Sequence, residues 1–129
     1  MRTAARRTTA TLGAAALLAS PLALLTAAPA AAADRDFRYA GAQVDFEVEK
    51  DDRRLEVSVD VDDARPGERF RIVLRQNGRV FVNRVFRADR EGDIEIDRNR
   101  PDTRGRDTVR LTIKKVGNRK AASRVIRVR

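Results

Sequence analysis

Carboxylates and guanidinium groups are the reactive side chains this chain supplies in quantity, and they set the chemistry open to it. There are 19 Asp and Glu against 28 Lys and Arg, with no His and no Cys. Nucleophile–base pairs of the Ser–His or Cys–His kind are therefore closed, and so are imidazole and thiolate metal sites. Paired carboxylates leave glycosidase-type acid–base work formally open. Yet there is no Trp, and the single Tyr is Tyr39, so a sugar finds little to stack on. The chain is expected to be neither an enzyme nor a cofactor carrier. Asp60, Asp62 and Asp63, and separately Asp97, Asn99 and Asp102, have the oxygen ligands Ca²⁺ uses. Turn-forming Asx chemistry in solvated loops is the simpler account of both groups, and neither has EF-hand spacing.

The cations are more informative by position than by number. Arginine outnumbers lysine 24 to 4, a bias that a GC-rich genome produces without functional demand. Residues 34–97 carry 13 basic and 17 acidic side chains, whereas residues 98–129 carry 12 and 2. Such asymmetry between segments calls for a structural reason.

Residues 1–33 have the order of a secretory signal peptide. Arg2, Arg6 and Arg7 form a cationic start, an apolar stretch runs from Leu12 to Leu25, and Ala31-Ala32-Ala33 offers a small-x-small cleavage pattern before Asp34. A membrane anchor is disfavoured because Pro21 and Pro29 interrupt the run, which lacks the roughly 20 bulky apolar residues of a span. The expected product is secreted, has no transmembrane segment, and comprises 96 residues with 25 basic and 19 acidic side chains. That is one domain's worth of chain, with no disulfide to support it.

Residues 34–42 read as a flexible polar leader, and residues 43–129 as the folded domain. Val44, Phe46 and Val48 alternate with Asp45, Glu47 and Glu49; Leu55, Val57, Val59 and Val61 alternate with polar neighbours in the same way. Two alternating runs, 68–76 and 79–88, meet at Asn77-Gly78, the strongest short hairpin signal. A two-residue type I′ turn there needs φ > 0 at both positions. Its ideal register pairs Gln76 with Arg79, Leu74 with Phe81, Val73 with Val82, Arg71 with Arg84 and Phe70 with Val85. Asn83 would then face the core opposite Ile72, so a β-bulge near Asn83 or Arg84 is expected. Ile94 and Ile96, then Val109, Leu111 and Ile113, then Ile126 and Val128 complete the set. Seven short alternating strands with Gly/Pro punctuation predict a seven-stranded antiparallel β-sandwich rather than a small closed barrel.

The turn segments Arg65-Pro66-Gly67-Glu68, Asn77-Gly78, Ala88 to Ile94 and Asp102 to Asp107 resemble those of bacterial immunoglobulin-like and fibronectin type III-like modules of secreted proteins. The resemblance covers residues 44–129 and departs from the antibody pattern in lacking the Cys pair and core Trp. It implies the first, second and fifth strands on one sheet and the remaining four on the other. It implies no activity, since such modules serve as spacers, adhesins and binding domains.

That strand order would place Asp45, Glu47, Glu49, Glu56, Asp60, Asp93, Glu95 and Asp97 on one outer face with only Arg54. The other face would carry Arg69, Arg71, Arg75, Arg84, Arg110, Lys114, Arg127 and Arg129 with no acid, around Val73, Val80, Val82 and Val125. These eight cations are the candidate binding residues. The partner they suit is anionic: a cell-envelope polymer, a membrane surface or an acidic protein. Nucleic acid is disfavoured because the face lacks base-stacking aromatics. Self-association, acidic face against basic face, is the alternative, beside an exported domain with no specific ligand.

Overall fold

The computed structural model describes residues 32–129. Nearly all of the expected signal segment lies outside them. Among the described residues there are eight strands and no helix: β1 Ala32–Tyr39, β2 Ala42–Asp51, β3 Arg54–Asp62, β4 Arg69–Gln76, β5 Arg79–Arg87, β6 Ile94–Pro101, β7 Asp107–Lys115 and β8 Ala122–Val128. They form two antiparallel four-stranded sheets, ordered β1-β2-β3-β6 (sheet A) and β5-β4-β7-β8 (sheet B). One apolar core, filled from both sheets by Phe46, Leu55, Ile96, Phe70, Ile72, Leu74, Leu111 and Ile113, lies between them. The partition of the seven expected strands between the two sheets is the one observed.

The count of seven is corrected to eight, because the supposed leader is a strand. Asp34, Asp36 and Arg38 make residues 34–39 look like solvated chain. Phe37 and Tyr39 nonetheless stand two apart on one side, where Phe37 is buried and Tyr39 packs against the core. Ala40 and Gly41 turn the chain back with φ of 51° and 85°, so that Tyr39 pairs with Ala42 and Ala33 with Val48. Tyr39 also ties the sheets together. Its hydroxyl donates to the Lys120 carbonyl at 2.6 Å and accepts from the Lys115 amide at 2.9 Å.

The Asn77-Gly78 turn has φ of 49° and 85°, both positive as a type I′ turn requires, and Gln76 pairs with Arg79. The bulge comes earlier than expected. Register shifts after Arg75–Val80, leaving Phe81 as the extra residue, and Leu74 pairs with Val82 instead of Phe81. The run Val80-Phe81-Val82 is apolar throughout, so alternation alone cannot fix its phase. The smaller Val82 takes the buried place, while Phe81 sits at the margin beneath the Arg100 guanidinium, 4.7 Å from its ring centroid. Every residue beyond the bulge changes side. Asn83 becomes exposed opposite Val73 and accepts a 2.8 Å hydrogen bond from Arg71.

Candidate functional site

The outer surface of sheet B is built by the alternate residues that the core rejects. From β4 it takes Arg69, Arg71, Val73 and Arg75; from β7, Thr108, Arg110, Thr112 and Lys114; from β8, Ser123, Val125 and Arg127. Register places Arg71 directly opposite Lys114 and Arg75 directly opposite Arg110, with Val125 next to Arg110 and Arg127 next to Thr108. Like charges facing each other across a ladder are destabilising. No acidic residue occupies this face among the described residues, and none of its cations enters the ion pairs found there, Lys50–Asp102 and Lys115–Glu68. At the β4–β7 end a shallow groove is lined by Arg69, Arg71, Lys114, Val85 and Val116. Val85 and Val116 are 38% and 45% exposed, and Val80 on the same side is 48% exposed.

Seven of the eight predicted cations fit this picture and one does not. Arg69, Arg71, Arg75, Arg110, Lys114 and Arg127 share the face, with Arg129 exposed just past β8. Arg84 is a correction: the bulge turns it to the inner side of edge strand β5, opposite Ile72, where it stacks over Phe86 at 5.1 Å. Val82 leaves the face for the same reason, and Val85 replaces it opposite Arg71. Arg87, opposite Arg69, also belongs to the face and was missed, because its phase depends on the bulge.

Sheet A presents the opposite surface. Register aligns Asp36, Asp45, Asp60 and Glu95 in one row across its four strands, and Asp34, Glu47, Ser58 and Asp97 in the next. Crowding leaves its mark on their acidity. Partial desolvation, then the Glu95, Asp97, Asp62 and Asp45 charges, raise the Asp60 carboxyl above its ordinary value. Asp36 is raised by desolvation and then by Asp45 and Asp34, and Asp62 by desolvation and then by Asp93.

The two groups of candidate Ca²⁺ ligands are not gathered into cages. Ser58 donates to Asp97 at 2.8 Å, and Asp102 lies 3.1 Å from the Lys50 ammonium. Asp60 and Asp62 belong to the acidic sheet face. Carboxylate oxygens of Asp89, Glu91 and Asp93 do approach one another. There, however, Asp89 accepts the Glu91 and Asp93 amides at 2.9 Å, which is turn chemistry.

Sequence reasoning also missed Asp107, a fully buried carboxylate at the start of β7. Its Oδ1 accepts from Gln76, Asn77 and the Thr103 hydroxyl, and its Oδ2 from the Thr103 amide. Burial pushes its pKa up, but the Thr103, Gln76 and Asn77 hydrogen bonds outweigh it and hold the value at about 2. This network locks the β4–β5 turn to the β6–β7 loop; it faces the fold rather than a ligand.

The chain matches no family model, no curated protein and no solved structure.

Proposed function

We propose that the chain is an exported, non-enzymatic binding module whose basic sheet docks an anionic partner: a cell-envelope polymer, a membrane surface or an acidic protein. The observation that carries the reading is the acid-free outer face of sheet B, where Arg71 opposes Lys114 and Arg75 opposes Arg110. A face evolved for stability alone would alternate signs, because opposite-charge pairs across a ladder contribute and like pairs cost. The exposed Val80, Val85 and Val116 beside those cations add apolar contact to the electrostatic attraction. The division of strands between the sheets, β2, β3 and β6 against β4, β5, β7 and β8, supports an immunoglobulin-like or fibronectin type III-like module. The cationic, apolar and Ala-x-Ala order of residues 1–33 supports export. Among the described residues no helix is long and apolar enough to cross a membrane.

The test is retention of the protein on immobilised heparin and on poly-L-glutamate across a salt gradient. Binding should be strong at low ionic strength and fall as the screening length shortens to about 3 Å near 1 M salt. Flow-through on both polyanions at low salt would contradict the reading.

A further inference from the structure

The acidic outer face of sheet A is left unused by that function. We infer that this face covers the basic face of a second copy of the chain, so that molecules associate acidic sheet to basic sheet. The contact uses the same cations as the proposed function but needs no envelope polymer.

Three observations support it. The first is charge complementarity on one molecule: Asp36, Asp45, Asp60 and Glu95 form an unbroken carboxylate row, while Arg75 and Arg110, and Arg71 and Lys114, form cationic rows. The second is spacing. Both faces are antiparallel ladders with strands about 4.8 Å apart, so neighbouring acids within an acidic row and neighbouring bases within a basic row stand at the same interval. The third is that neither set of rows holds an ion pair of its own among the described residues, so each face keeps the repulsion between its own strands. Contact with the opposite face removes that repulsion from both at once.

The geometry also fixes the kind of assembly. The two faces lie on opposite sides of one sandwich, so the contact is head-to-tail, and each added molecule buries one face and exposes the other to the next. Four strands of about eight residues make a face of roughly 19 by 26 Å, or about 500 Å² per side, at the low end for specific contacts. Association is therefore weak, wet and salt-sensitive.

Sedimentation velocity tests it at about 20 mM and about 500 mM NaCl, where screening lengths differ roughly five-fold. Two variants are needed: an acid-depleted one, Asp45→Asn with Asp60→Asn and Glu95→Gln, and a base-depleted one, Arg71→Gln with Arg75→Gln and Arg110→Gln. The native chain should show an average mass that climbs with concentration at low salt and returns to the monomer at high salt. Each variant alone should remain monomeric. An equimolar mixture should form a complex that stops at two molecules, because each variant retains the face the other lacks. A native chain that is monomeric at low salt, or an acid-depleted variant that still self-associates, or a mixture that forms no complex, would overturn the inference. The acid-depleted variant should still bind heparin, so polyanion binding and self-association fail independently.

Discussion

The side-chain amide of Asn77 donates to the buried carboxylate of Asp107 across 2.8 Å, and Asn77 Oδ1 in turn accepts the Thr108 amide at 2.9 Å. The residue that makes the β4–β5 turn thus also fastens it to β7. Asp107→Ala should cost about 3 kcal/mol, because hydrogen bonds to a buried charge are strong and their donors would be left unpaired. Because the folded pKa of Asp107, about 2, lies below its ordinary 3.8, its contribution is complete above pH 3.8 and lost as pH falls through 2. A shift of that size is worth roughly 2 kcal/mol. Urea midpoints of native and variant chains should therefore differ most at pH 7, and the stability gap should narrow by roughly 2 kcal/mol as pH falls through about 2.

Asp60 has the opposite sign. Its raised pKa means that folding disfavours the ionised form, because of desolvation and then its acidic neighbours Glu95, Asp97, Asp62 and Asp45. The penalty is present at neutral pH and relieved as pH falls through the raised value. Asp60→Asn should raise the urea midpoint at pH 7, and the gain should vanish at acid pH, where the carboxyl is as uncharged as the amide. A variant less stable at pH 7 would show that the acidic rows do not repel.

Two glycines separate backbone conformation from space. Gly78 has φ of +85° and open space where a Cβ would go. Gly78→Ala should therefore cost only the left-handed conformation, about 1–2 kcal/mol, and the β-branched Gly78→Val about 1–3 kcal/mol. Gly92 has nearly the same φ, but a Cβ there would collide with the backbone carbonyl of Ala64, whose N–H also donates to the Gly92 carbonyl at 3.1 Å and so holds the β3–β4 loop against the β5–β6 loop. Gly92→Ala must move backbone and should cost more, about 3 kcal/mol or above. Equal urea midpoints for the two alanine variants would contradict this.

Ala40 offers a gain. It holds φ of 51° in the two-residue turn between β1 and β2, a conformation that Asn and Gly adopt far more readily. Ala40→Asn should stabilise the fold by about 0.5–1 kcal/mol, read as a higher melting temperature. An unchanged or lower melting temperature would mean that β1 contributes little to the cooperative unit.

Where apolar and polar residues alternate without ambiguity, the fold was legible from residues alone. Val44-Phe46-Val48, Leu55 to Val61 and Val109-Leu111-Ile113 reject their polar neighbours to one side, and those neighbours make the two charged faces. Legibility failed where alternation was masked. At β1, charges at Asp34, Asp36 and Arg38 hid the Phe37–Tyr39 pair. At Val80-Phe81-Val82, three apolar residues in succession left two phases open, and the wrong one misplaced Arg84. Asp107 was hidden for another reason: its donors Gln76 and Asn77 lie about thirty positions away, and no local pattern announces a long-range polar contact.

The central claim is that placement of charge on sheet B, rather than net charge, makes the binding surface. The direct measurement compares heparin retention and urea midpoint for two triple variants that each remove three cations. One is Arg71→Gln with Arg75→Gln and Arg110→Gln on the face; the other is Arg53→Gln with Arg54→Gln and Arg104→Gln, all exposed, at the β2–β3 turn, on sheet A and in the β6–β7 loop. The face variant should lose retention while matching or exceeding native stability, because facing cations such as Arg75 and Arg110 no longer repel. The other variant should elute close to the native chain. Equal elution of the two variants would show that only total charge matters, with arginine stems merely covering Val73 and Val125, and would contradict the account.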